Sequence, residues 1–147
     1  MSDPKRLLAE LYQRVVQDEL GLLATIEDDG DVLFRHPDLG DFFISLNAEK
    51  DPEYMKLVFP AFLFDETRGV APEDLIRVCN KLNVHAQLAI LTFHEEADDT
   101  IAAHVGLLLA APDVFPDETL LRGVIRRAMS SIRSVVEKFA DELSRLE

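Results

Sequence analysis

Cysteine occurs once in the 147 residues, at Cys79, so no intramolecular disulfide can form. A charged-then-apolar leader before a small-residue cleavage site is also missing, and together these absences predict a reducing, cytoplasmic setting. The longest apolar stretch, Val105 to Ala111, falls far below the roughly 20 residues a bilayer-crossing helix requires, so no membrane span is expected. Basic residues are outnumbered: 15 Lys and Arg against 28 Asp and Glu leave a formal net charge of -13. A field of that sign repels phosphate backbones and anionic lipids, which predicts that neither nucleic acid nor membrane is a partner. No glycine-rich phosphate loop, Gly-x-Ser-x-Gly elbow or lysine-based catalytic signature occurs, which argues against an enzyme and against a bound cofactor. With no linker rich in Pro, Gly and Ser and no internal repeat, residues 1–147 read as a single domain.

What the chain does contain is a succession of periodic segments. Residues 3–20 place Leu7, Leu8, Leu11, Val15 and Val16 at helical spacing behind a Ser2 or Asp3 cap, with Pro4 in the permissive first turn. Residues 22–27 read either as a short strand or as the fraying end of that helix, and Gly30 lies in an acidic turn. Three segments rich in branched and aromatic residues follow, at 32–36, 41–47 and 53–64, and predict an antiparallel meander. In the third, Met55, Leu57, Phe59, Ala61 and Leu63 alternate with a mixed set that includes Phe62 and Phe64, while Pro60 marks an edge or a bulge. Residues 72–83 put Leu75, Val78, Cys79 and Leu82 on one helical face, residues 87–94 and 100–110 read as a hairpin, and a helix fills 117–145. The predicted class is α+β, with about five antiparallel strands flanked by helices in the order α-β-β-β-α-β-β-α.

Two asparagines three residues apart close the second helix. A helix that turns directly into a strand needs a residue that tolerates left-handed dihedrals, and Asn83 is expected in that post. Asn80, one turn earlier, is close enough to bond the last free carbonyls. This junction, Asn80-x-x-Asn83 after an apolar helix, resembles the YbjN-like family, also described as bacterial sensory transduction regulators. The segment GDVLFRHPDLGDFFISLNAEKDPEYMKLVFPAFLF is similar to that family's opening strands, and the order of elements agrees from about Asp31 to Ala111. The resemblance implies a twisted antiparallel sheet of the type III secretion chaperone kind, commonly dimeric and not catalytic.

Other constellations carry less. His94 and His104 flank the hairpin turn but are staggered by roughly 10 Å at the strand rise, and His85 is more distant still, so no metal site is expected. The acidic turn at 27–31 lacks the periodic ligands of a calcium loop. Cys79, on the apolar helix face, reads as a small buried hydrophobe. Arg122, Arg126, Arg127, Arg133, Lys138 and Arg145 form a locally basic, solvated stripe near the C-terminus.

The final helix carries an apolar stripe through Ile125, Ile132, Val135, Phe139 and Leu143. At 1.5 Å per residue, 117–145 would extend about 43 Å, more than a compact protomer would be expected to cover. The expectation is therefore a homodimer, with Ile132, Val135, Phe139, Leu143, Phe62 and Phe64 as the candidate dimer or partner surface. The function expected is that of a non-enzymatic module that binds another polypeptide, as a regulator or a chaperone. Its narrower form is a dedicated secretion chaperone for one effector. The rival from another class is a small-molecule sensor or enzyme with an apolar pocket.

Overall fold

A computed structural model describes residues 1–146. Helix α1 (Asp3–Leu20) begins where the Ser2 hydroxyl accepts a hydrogen bond from the Lys5 N–H, and ends at Gly21, whose φ of 67° lets its N–H reach back to the Gln17 carbonyl. Strands β1 (Ala24–Ile26), β2 (Val32–His36), β3 (Gly40–Asn47) and β4 (Asp51–Phe59) follow, then the single turn α2 (Phe64–Thr67) and helix α3 (Pro72–Asn83). Strands β5 (Ile90–His94) and β6 (Thr100–Leu108) and the long helix α4 (Glu118–Ser144) complete the chain.

The six strands form one antiparallel sheet in the order β1-β2-β3-β4-β6-β5, one strand more than the sequence suggested, because residues 24–26 pair with β2 instead of fraying from α1. Strand β4 stops at Phe59, before Pro60, which has no N–H for the ladder. Ala61 and Leu63 then take positive φ values of 48° and 50° and swing the chain into α2. The strand expected to reach residue 64 is thereby corrected, and Phe62 and Phe64 are not strand residues. The hairpin starts at Ile90, not residue 87, and its register pairs His94 with Thr100 and His104 with Ile90.

The inward sheet face, with Val32, Phe34, Phe42, Ile44, Met55, Leu57, Phe59, Leu91, Ile101, Ala103 and Val105, shares one core with α1, α3 and α4. A run of aromatic rings ties the layers together. Phe34 stacks on Phe42 at 5.3 Å, Phe42 on Phe59 at 4.4 Å and Phe59 on Phe62 at 5.4 Å, and Phe62 meets the edge of Phe139 from α4.

The stripe of α4 is covered within the protomer. Ile132 and Phe139 are fully buried, and Val135, Leu143 and Phe62 are each less than 9% exposed. Of the six residues expected on a dimer or partner surface, Phe64 alone stays exposed, at 44%. Helix α4 is covered along its length because α1 and α3 flank its two halves. Arg122 on α4 bonds Asp18 and Glu19 of α1 at 2.9 and 3.3 Å, and Glu142 near its end bonds Lys81 of α3 at 2.9 Å.

Cys79 is 4% exposed, and burial pushes its thiol up to about 11. A thiol reagent is therefore expected to leave the native protein unlabelled near neutral pH and to label one thiol per chain after denaturation, measured by intact mass. Rapid native labelling would show that α3 opens readily.

Candidate functional site

All three long helices lie on one side of the sheet, which leaves the other face uncovered. The strand registers place one residue from every strand in a single row across it: Thr25, Leu33, Phe43, Val58, His104 and Ile90. Leu33 is 36% exposed and Ile90 43%. Val58 and Ala102 are buried yet lie outside the core cluster, so neighbours on this same outer face shield them. Beside the row, Tyr54 pairs with Leu108, and the Tyr54 hydroxyl crosses over Gly106, where any Cβ would collide with it. The row is flanked on one side by the Arg35–Asp41 pair at 3.0 Å and on the other by Lys56, opposite Ser45 and Gly106, with Tyr54 and Leu108 beyond it.

His104 is the fifth of the six residues in this row, between Val58 and Ile90. Partial burial, then the nearby charges of Lys56 and His94, hold its pKa below the ordinary value of 6.5, so the row is uncharged at neutral pH. The unfolded chain takes up this proton at a higher pH than the folded chain does. Stability should therefore decrease as pH falls below 6.5, and His104→Gln should remove part of that decrease. Thermal melts at about pH 7 and about pH 5 check this, and equal acid losses in the two proteins would contradict it.

Both edges of the sheet are capped by side-chain amides from helices. At β1, Gln13 Nε2 donates to the Ala24 carbonyl at 2.9 Å and Gln17 Oε1 accepts from the Ala24 N–H at 3.3 Å. At β5, Asn83 does the same to Leu91: Nδ2 donates to the carbonyl and Oδ1 accepts from the N–H, both at 2.9 Å. Each amide occupies positions that an added strand would need. Asn83 is thus not a left-handed cap. It is the last residue of α3, followed by Val84 in right-handed helical conformation, and the chain reverses over residues 84–89 before β5 begins. Asn80 is exposed, and its backbone carbonyl, accepting from the Val84 N–H, joins the helix end.

Other features are dispersed. Among the described residues no group of three His, Cys, Asp or Glu side chains is placed to hold a metal. His94 bonds Thr92 at 2.8 Å and Glu96 at 3.1 Å, on the outer face near the hairpin turn. An open, mostly apolar cleft of about 560 Å³ lies between the α2–α3 connection and the end of α4, its lining including Leu63, Val70, Leu143 and Leu146 together with Glu66 and Asp74. No described helix is long and apolar enough to cross a membrane.

Comparison with known proteins places the architecture. No known family description matches the chain, and no curated protein does. Two solved structures share its fold. A chain of the HopA1–SchA chaperone–effector complex superposes with a TM-score of 0.61 at 12% identity, covering 96% of this chain and 99% of that one. The fold is chaperone-like. YbjN from E. coli, a proposed transcription regulator, superposes with a TM-score of 0.60 at 13% identity over 86% of each chain. At these identities the likeness establishes the chaperone-like fold alone, and it accords with the layered α+β sheet and the YbjN-like order of elements read from the sequence. The outer row and the glutamine clamp were missed in the sequence. The row was readable only as the alternate residues of each strand, Leu33, Phe43 and Val58, and the clamp only as two glutamines four apart on α1.

Proposed function

We propose that the protein is a non-enzymatic binding module that docks a segment of another polypeptide across its uncovered sheet face, acting as a chaperone or regulator in the cytoplasm. The observation that carries this reading is the apolar row from Thr25 to Ile90 on a sheet whose two edges are capped. A partner that added a strand would have to displace the amides of Gln13, Gln17 or Asn83, whereas one laid across the face displaces only water. That one fold neighbour comes from a chaperone–effector complex supports a protein partner. A dedicated secretion chaperone is the narrower form of the same reading. A homodimer, first expected through α4, would have to use another surface, because that stripe is buried in the protomer.

The test is copurification from the native host with wild type and with Leu33→Glu/Ile90→Glu. Both side chains are exposed enough to accept charge without unfolding. A polypeptide retained in stoichiometric amount by wild type and lost from a variant with an unchanged melting curve supports the sheet-face reading. Equal retention by the variant contradicts it. The cleft of about 560 Å³ favours a second reading, a small-molecule sensor, which native mass spectrometry of the same preparation tests through a copurifying ligand.

A further inference from the structure

On the helical side of the molecule, a second cavity of about 250 Å³ lies where the end of α1, the β2–β3 turn and the middle of α4 meet. Its lining includes Glu19, His36, Arg126, Ser130 and Arg133. The spacing of 126, 130 and 133 puts three α4 side chains on one helical face directed at the turn.

His36 closes β2, and its ring organises the turn that follows. Nδ1 lies 3.1 Å from the Asp38 nitrogen and 3.3 Å from the Leu39 nitrogen, and accepts from both N–H groups. A ring nitrogen that accepts cannot carry the proton, so the hydrogen resides on Nε2. Nε2 in turn lies 3.3 Å from Nη2 of Arg133, a group that can only donate. Two donors therefore face one another. The other tautomer relieves this contact only by turning the Nδ1 hydrogen against two backbone N–H groups.

The arginines here are also incompletely paired. Arg133 approaches the Asp38 carboxylate at 3.7 Å and Arg126 approaches Glu19 at 3.8 Å, both well beyond the roughly 2.7–2.9 Å of a charge-assisted hydrogen bond. Glu19 makes a shorter contact with Arg122, at 3.3 Å. A single acceptor between Arg133 and His36 would satisfy both donors, with the Ser130 hydroxyl and the Arg126 guanidinium within the same cavity.

We propose that this cavity is a binding site for one small oxyanion, a carboxylate or phosphate group, held by Arg133 and the His36 Nε2–H and flanked by Ser130 and Arg126. Glu19 and Asp38 limit the site to a single anionic group. The net charge of -13 opposes a highly charged ligand, so recognition depends on local hydrogen-bond geometry and weakens with salt. The site lies on the helical side of the sheet, opposite the apolar row, and does not depend on what docks there.

The test uses the full chain, isotopically labelled, titrated with inorganic phosphate in one arm and acetate in the other at constant ionic strength. The His36 ring nitrogens and the Asp38, Leu39 and Ser130 amides are followed by NMR. The expected result is a saturable shift of these signals in at least one arm, with the arm that saturates at lower concentration distinguishing phosphate from carboxylate. Arg133→Gln should weaken the affinity about tenfold while leaving the melting curve unchanged. If Arg133→Gln alters the melt, Arg126→Gln, whose side chain is 69% exposed, is judged by the same criterion. Linear, unsaturated shifts in both arms, or equal saturation in the folded variant, would overturn the site.

Discussion

Phe59→Ala is expected to cost about 3–5 kcal/mol, the usual range for removing a buried phenylalanine, and so to take a large share of the molecule's stability. The ring is 5% exposed and stacks between Phe42 and Phe62, so its loss opens a cavity between the sheet and α4 at the middle of the aromatic run. It also lies beside Gly40 at the start of β3, where an added Cβ would be 3.6 Å from the ring, an ordinary contact. Since each kcal/mol moves the melting temperature by about 2–4 °C in a chain of this size, a fall on the order of 10 °C should be plain in a thermal melt. Phe64→Ala is the control: that ring is 44% exposed and outside the stack, and its removal should change stability by about 0.5 kcal/mol or less. Similar losses in the two variants would show that the stack is not what joins the layers.

The second large effect falls on Asn83. Asn83→Ala leaves the N–H and the carbonyl of Leu91 without their amide partner on a half-buried edge, and is expected to cost about 1–3 kcal/mol. Asn83→Gly should be as harmful or worse, since it loses the same bonds and weakens the end of α3 by up to about 1 kcal/mol more. This ordering separates two accounts of the residue: a left-handed cap would make glycine the mild replacement. Melting temperatures, with hydrogen exchange at the Leu91 amide, read the difference. A glycine variant clearly more stable than the alanine variant would refute the clamp.

Asn83 also shows how far local sequence carries. A polar residue where the helical period ends is a sound sign that α3 stops there, and it does, but the side chain's partner lies eight residues on in a strand whose position depends on the whole sheet. The three long helices were legible because their apolar spacing and caps are local, as with Ser2 and Pro4 at the start of α1, whereas the single turn α2 was not. The end of β4 was misread since Phe62 and Phe64 continue the alternating pattern past Pro60, while the left-handed Ala61 and Leu63 that break it carry no glycine to announce them. Burial of the α4 stripe was missed for the opposite reason. Val135 and Phe139 looked surplus because the cover supplied by Phe62, α1 and α3 arises only after the sheet is assembled. The candidate face was half visible, in the mixed outer set Tyr54, Lys56 and Val58, but its continuity required the registers that align Leu33, Phe43, Val58, His104 and Ile90.

Site-specific photo-crosslinking in the native host tests the central claim most directly. A photoreactive residue is placed in turn at Leu33, Tyr54 and Ile90 on the uncovered sheet face, and at Ile76 and Leu120 on the exposed sides of the helices, all five positions being at least 36% exposed. The expected result is one partner polypeptide captured from the three sheet positions and not from the two helical ones. Capture of the same partner from Ile76 or Leu120 with none from the sheet would contradict the account.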